Sequence, residues 1–477
     1  MKTQTTLQTA LRAAALFTVF GFGAAQAAEA PAPLPRDLPP FGADPALPAL
    51  KISRHTLANG LAVWVVPNQG PPRVDAVLAV RGAGSAADTA QQAGFTALLA
   101  GLLTEGTTQR DARTLAQDVQ ALGGSIGASP TADGITVVAQ ALASQAGPLL
   151  QLLAEVTRQP AFADGEVKLA KSNALQELKA SSATPGFRAE GAMNKVLFGA
   201  HPYANGQPTE AAIEATTPAA LRSAHAQRFR PDRALLIISG RIDPAQGLKL
   251  AETAFGDWQA SGPALPDTPA APRQTAPVKL LLERAGSVQA TLRLGRVGIP
   301  AADADQVPLR VATAVVGDGF SSRINLNLRE EKGYTYGASM RARSLRHGGA
   351  IVGGADVRNE VTGAALKEFE AEFKRIGSQP VPKRELQDTQ RYLTGSYLVG
   401  LQSQAAVAGT LARNWMLGLP PETLTDYVPQ VRRVTAAQVQ AVSRKYLAPE
   451  NLSIVVVGDP AVAAQLKPFG TFQVQAK

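Results

Sequence analysis

The run Phe229-Arg-Pro231-Asp-Arg-Ala-Leu-Leu-Ile-Ile-Ser-Gly240 has a counterpart near the end of the chain, Leu447-Ala-Pro449-Glu-Asn-Leu-Ser-Ile-Val-Val-Val-Gly458. Each reads as a proline turn entering a short apolar run that ends at glycine, the pattern of a buried strand. Each is preceded by a helix whose start is marked by a capping threonine, Thr217 in one case and Thr435 in the other. A second echo pairs Glu105-Gly106-Thr-Thr-Gln-Arg110 with Asp318-Gly319-Phe-Ser-Ser-Arg323, at nearly the same separation. Two echoes at nearly one offset indicate an internal duplication. Between the copies lies a segment with Pro263, Pro266, Pro269, Pro272 and Pro277, which reads as a linker over 261–277.

Outward from these copies the chain mixes strands and helices. His55-Thr-Leu-Ala-Asn59-Gly60-Leu-Ala-Val-Trp-Val-Val66 reads as two strands around an Asn-Gly hairpin turn, whose two turn positions require positive φ. A strand is expected near 74–80, a helix over 95–103, and a second helix from the spacing of Leu115, Val119 and Leu122. The expected fold is α+β: two homologous mixed α/β-sandwich domains over 51–260 and 278–465, each an antiparallel-rich sheet covered by helices, together forming a clamshell half. A chain of 477 residues is too long for one ordinary core, and 45% hydrophobic with 18% charged residues is a globular composition.

The first residues differ. Lys2 and Arg12 precede the apolar run 13–25, and Ala25-Gln26-Ala27 places small residues two apart. These are the parts of a secretory signal peptide, expected over residues 1–27. The run is too short for a membrane span, which takes about 20 apolar residues. Seven prolines over 28–50 follow, read as an extended leader. Export with no cysteine at all excludes disulfides, cysteine nucleophiles and thiolate metal sites, and a periplasm is the expected compartment. Net charge is +9, or +7 without Lys2 and Arg12, which is mild at this length. With no aromatic-basic clustering, nucleic acid is not an expected partner.

Gly94-Phe-Thr-Ala97-Leu-Leu-Ala100-Gly101-Leu-Leu-Thr-Glu-Gly106-Thr107 resembles the segment that carries the inverted zinc motif, His-x-x-Glu-His, in the pitrilysin/insulinase family of zinc peptidases. Three further stretches fit the resemblance: Leu122-Gly-Gly-Ser-Ile-Gly-Ala128 with its edge strand, His201-Pro-Tyr203 with its His-Pro-Tyr turn, and 322–336 with the characteristic stretch of its C-terminal domain. In order and separation they cover roughly 50–465.

The three motif positions, however, are Ala97, Ala100 and Gly101. A methyl group or a hydrogen offers zinc no lone pair, and Ala100 cannot act as the family's general base. The family's downstream carboxylate ligand matches Glu177. The four histidines, His55, His201, His225 and His347, include no pair at helical spacing and read as surface or turn residues. No Gly-x-Ser-x-Gly elbow suggests a serine nucleophile. No cofactor is expected in this chain. By contrast, Arg329 and Tyr336 match the family's Arg/Tyr pair, which contacts the substrate backbone opposite the zinc. The residues read as a helix over 326–332 stopped by Gly333, with a strand beginning at Tyr334 and placing Tyr334 and Tyr336 on one face. The resemblance therefore implies the non-metal subunit of a heterodimeric zinc peptidase, with peptide as substrate and zinc held by a homologous partner. A stand-alone peptide binder and a structural scaffold subunit are the alternatives.

Overall fold

The computed structural model describes residues 50–273 and 276–475. The expected signal peptide and all but the last residue of the proline-rich leader lie outside the described residues. Among the described residues, twelve strands build two six-stranded sheets. The first holds β1 (Ser53–Thr56), β2 (Ala62–Pro67), β3 (Arg73–Arg81), β4 (Ser125–Pro130), β5 (Gly134–Leu142) and β6 (Ala234–Gly240), in the order β1-β2-β6-β3-β5-β4. The second holds β7 (Lys279–Glu283), β8 (Gln289–Val297), β9 (Ala338–Ser344), β10 (Gly349–Arg358), β11 (Ser453–Gly458) and β12 (Gln473–Gln475), in the order β12-β7-β11-β8-β10-β9.

The two sheets repeat one wiring. β6 and β11, the strands quoted from the sequence, hold equivalent inner places and are buried along their whole length. Each runs parallel to one neighbour, β2 or β7, and antiparallel to the other, β3 or β8. That explains why their apolar runs are continuous: a strand covered on both faces has no polar side to alternate with. Thr217 and Thr435 cap their helices, Pro218–Arg228 and Ala436–Tyr446, by accepting the backbone N–H of Ala220 and Gln438. Gly106 and Gly319, paired in the second echo, both have positive φ, at +100° and +90°. Only glycine adopts that backbone without strain, so the echo reflects a shared bend.

The Asn-Gly hairpin takes a different form from the expected two-residue turn. β1 and β2 do pair antiparallel, but only Gly60 has positive φ. The loop is closed by Leu57 N–H to Leu61 O and Gly60 N–H to Leu57 O, both 2.9 Å. Asn59 instead spends its amide on Phe255 O (2.7 Å) and Trp258 O (3.0 Å), tying the loop to the end of the first half.

Each sheet packs one face against its own half's helices, giving two main cores. The other face is covered by exchange. The helix Pro185–Phe198, from the first half, packs on β8 and β11 of the second sheet. The helix Gln404–Met416, from the second half, packs on β3 and β6 of the first. The described residues accordingly form one compact unit. Among the described residues, no helix is long and apolar enough to cross a membrane.

Candidate peptide site

The helix Phe95–Leu102 carries the three altered motif positions. It starts at Gly94, whose φ of +97° and 2.5 Å approach of a built Cβ to Pro208 leave room for glycine alone. Asp88 supplies the missing cap. Its carboxylate accepts from the Thr96 N–H (3.0 Å) and Thr96 Oγ1 (2.7 Å), and pairs with Arg228 at 2.9 Å. Asp88 is fully buried, and Arg228 also lies over the Phe95 ring. The mounting of this helix is complete.

What it presents is not chemistry. Ala97 and Gly101 are exposed, one turn apart on the same side, while Ala100 is fully buried in the first core. Glu177 is exposed on the helix Asp164–Ser182, which packs against Phe95–Leu102. Among the described residues no group of three His, Asp or Glu side chains is placed to hold a metal. A lone carboxylate beside a methyl group and a hydrogen does not fit zinc.

The second half is built differently at the comparable place. After the helix Gln306–Gly317 the chain bends at Gly319, forms a short helix over Arg323–Asn325, and widens into a π-helical turn over Leu326–Glu331. The expected ordinary helix over 326–332 is thus a wide turn over nearly its whole length, a form frequent at functional sites. Gly333 (φ +62°) does end it, its N–H bonding to Arg329 O. The strand begins later than expected, at Ala338.

That delay separates the two tyrosines. Tyr334 packs partly against the second core, whereas Tyr336 is 92% exposed. They do not share a strand face, because 334–337 form a bend before the strand. Arg329 lies over the exposed Phe320 ring at 4.8 Å and pairs with its neighbour Glu330 at 3.2 Å. Arg329 and Tyr336 belong to one segment, 319–338, without a hydrogen bond or ion pair between them among the described contacts. Asn325, which sequence reasoning missed, pins both ends of that segment. Its buried amide donates to Gly319 O (3.1 Å) and Ala338 O (2.6 Å) and accepts from Ala338 N–H (2.9 Å). A short polar residue in an apolar helical stretch was the available signal.

The His-Pro-Tyr turn proves to be a joint between halves. Tyr203 Oη donates to Asp133 at 2.6 Å and accepts from His347 N–H at 3.2 Å. Burial first, and then Asp133, push its phenol well above the usual range. His201 accepts Tyr203 N–H at Nδ1 and donates from Nε2 to Pro269 O of the linker. His225, expected at the surface, is wedged between Phe162 and Phe229 and donates to Thr157 O at 2.8 Å.

Two copies of one sandwich, with no group of metal-ligating side chains among the described residues, define the class. Residues 65–206 match the model described as insulinase (peptidase family M16), and 215–393 match the model described as the peptidase M16 inactive domain. The chain belongs to peptidase family M16. It is 25% identical over 400 residues to a Bacillus subtilis protein named uncharacterized zinc protease YmxG, covering 83% of this chain and 95% of that one. It is 22% identical over 387 residues to a Helicobacter pylori protein named non-peptidase homolog YmxG, covering 80% and 88%. Over 203 residues, 42% of this chain and 40% of the relative, it is 28% identical to a potato (Solanum tuberosum) mitochondrial-processing peptidase subunit alpha. A crystal structure described as the peptidase M16 inactive domain from Pseudomonas fluorescens superposes with a TM-score of 0.80 at 26% identity, covering 86% of this chain and 98% of that one.

Proposed function

We propose that this chain is the exported, non-metal subunit of a heteromeric zinc peptidase, working with a homologous partner that keeps His-x-x-Glu-His. One observation carries the reading: a fully mounted motif helix presents Ala97 and Gly101, while 319–338 holds out an Arg and a fully exposed Tyr. An exposed tyrosine gains nothing from burial, so its place on a pinned segment suits contact with something outside the chain. Zinc in the partner would polarise the scissile carbonyl and activate water. Arg329 and Tyr336 would donate hydrogen bonds to the carbonyl oxygen as it gains negative charge. An extended substrate suits addition to a sheet edge, where main-chain hydrogen bonds are free of sequence. The names of the relatives support both parts of the reading, one being a non-peptidase homolog and another a subunit. The charged start, short apolar run and small residues before position 28 support export to a periplasm.

The test is reconstitution. The chain should co-purify with a zinc-bearing homologue from the same genome and raise peptide hydrolysis well above the homologue's own rate. A rate that never exceeds the homologue alone would instead support a binding or scaffold role. About one tightly held zinc per purified chain of this protein alone would end the non-metal reading.

A further inference from the structure

Each sheet ends in an exposed edge strand, β4 in the first half and β9 in the second. β4 carries Ser125, Ile126, Gly127, Ala128, Ser129 and Pro130, with no charge among them. β9 is different. Ala338 and Met340 turn into the core, and Ser339, Arg341 and Arg343 stand exposed on the opposite face.

Behind that face lies a groove of about 520 Å³. Its floor is small: Arg343, Arg341 and Ser339 pair in register with Ala350, Val352 and Gly354 of β10. Its far wall is the exchanged helix Pro185–Phe198, which rides on β8, two strands or roughly 10 Å from β9. The acidic groups nearby are accounted for. Glu190 lies on that far helix, and Asp356 sits beyond the last β9–β10 pair, 3.9 Å from Arg293. Asp318 is 3.7 Å from Arg341 but is already bonded to Arg310. The Arg341 side chain is 70% exposed, and Arg343 has no ion-pair partner among the described residues. The wall nearest the free edge is therefore cationic.

We propose that the β9 edge and this groove take an extended acidic peptide. The peptide main chain adds to the sheet, and carboxylates two residues apart, spaced about 7 Å by strand geometry, face Arg341 and Arg343. A second copy of β9 is a poor occupant, because it would set arginine against arginine across the new pair. The inference rests on the proposed function in taking peptide as the ligand, and it adds the charge of the substrate.

Binding needs neither zinc nor partner, which separates the two tests. Fluorescence anisotropy of the purified chain would compare two labelled eight-residue peptides, alike except for Glu or Lys at alternate positions. The Glu peptide should bind the more tightly, and increasingly so as salt is lowered. Reversing both charges in Arg341→Glu/Arg343→Glu should weaken the Glu peptide by about tenfold or more and favour the Lys peptide. The melting temperature should fall only slightly, because the new Glu at 341 faces Asp318 while Arg310 still holds that carboxylate. Equal binding of the two peptides, or an unchanged Glu-peptide affinity in the double variant, would overturn the inference. Charge-selective binding by a chain that fails to stimulate hydrolysis would reject the subunit reading and leave this one standing.

Discussion

The two halves share a strand-turn unit, yet they fasten the helix before it by different chemistry. In the first half Arg228, at the end of its helix, forms a buried pair with Asp88. In the second, the equivalent position in the repeat is Tyr446, whose hydroxyl donates to Asp305 at 2.8 Å, with Lys445 also 2.8 Å from the same carboxylate. The Lys445 and Asp305 side chains are 62% and 32% exposed. One topological joint is thus a desolvated ion pair in one copy and a wet, neutral-assisted pair in the other. Duplication conserved the geometry and left the chemistry free. The half that spends a buried ion pair on its motif helix is also the half whose motif is chemically silent.

The largest expected effect breaks the first joint. Asp88→Ala leaves Arg228 charged and unpaired in the interior and removes the cap from Phe95–Leu102. A loss of about 3–5 kcal/mol is expected. Asp305→Ala, at the wet joint, should cost no more than about 1 kcal/mol. Urea unfolding of both variants tests the contrast, and equal losses would show that the two joints are energetically the same.

Acid should also separate the halves. His225 is held neutral by burial, which lowers its pKa to about 4 from 6.5 against a smaller opposing effect of the Thr157 carbonyl. Its counterpart in the second copy, Ser443, does not titrate in this range. As pH falls from 6.5 through 4, the unfolded chain takes up a proton that the native chain refuses, so stability drops. Above pH 6.5 the effect is absent, and below 4 it reaches about 3 kcal/mol. His225→Gln should flatten that part of the melting temperature's pH dependence between pH 7 and 4. An unaltered acid slope would place the sensitivity elsewhere.

On the functional side, the second half should matter more. Tyr336→Phe removes one hydroxyl from a residue that is 92% exposed, so folding should be unaffected. In the proposed heteromeric enzyme, loss of one donor to a developing oxyanion should lower turnover about 10²-fold. Arg329→Ala should lower it as well, with part of the change arising from its lost stacking on Phe320. Full turnover by both variants, with assembly intact, would make the segment structural.

Much of this was written in the sequence because it is local. Continuous apolar runs gave β6 and β11, capping threonines gave two helix starts, and Gly106 and Gly319 marked one bend. That the motif positions hold Ala97, Ala100 and Gly101 needed only the residue types. The exchange of the helices Pro185–Phe198 and Gln404–Met416 was not legible, because an amphipathic pattern fixes an apolar face without naming what it covers. Nor was the fate of 326–337. Asn325 bonds to Ala338 across the bend, a contact between residues 13 apart that local periodicity does not show. The separation of Tyr334 from Tyr336 arises within that bend.

The smallest expected effect probes the silent motif itself. Gly101 lies inside the helix Phe95–Leu102, exposed, and a Cβ built there meets nothing within 4 Å. Its φ is not in the positive range that would require glycine. In a family member with intact zinc this place belongs to a ligand, where alanine would abolish metal binding. Here nothing opposes the change, and glycine only adds backbone freedom to the unfolded chain. Gly101→Ala should therefore stabilise the protein by about 0.5–1 kcal/mol and leave stimulation of the proposed partner unaltered. Thermal melts and the reconstituted assay, run on the same preparation, read both quantities. A stability gain with unchanged activity would mark the first half as a retained scaffold. A loss of activity from one added methyl group would mean that the exposed face of this helix still touches substrate or partner, and the contrast between the halves would have to be redrawn.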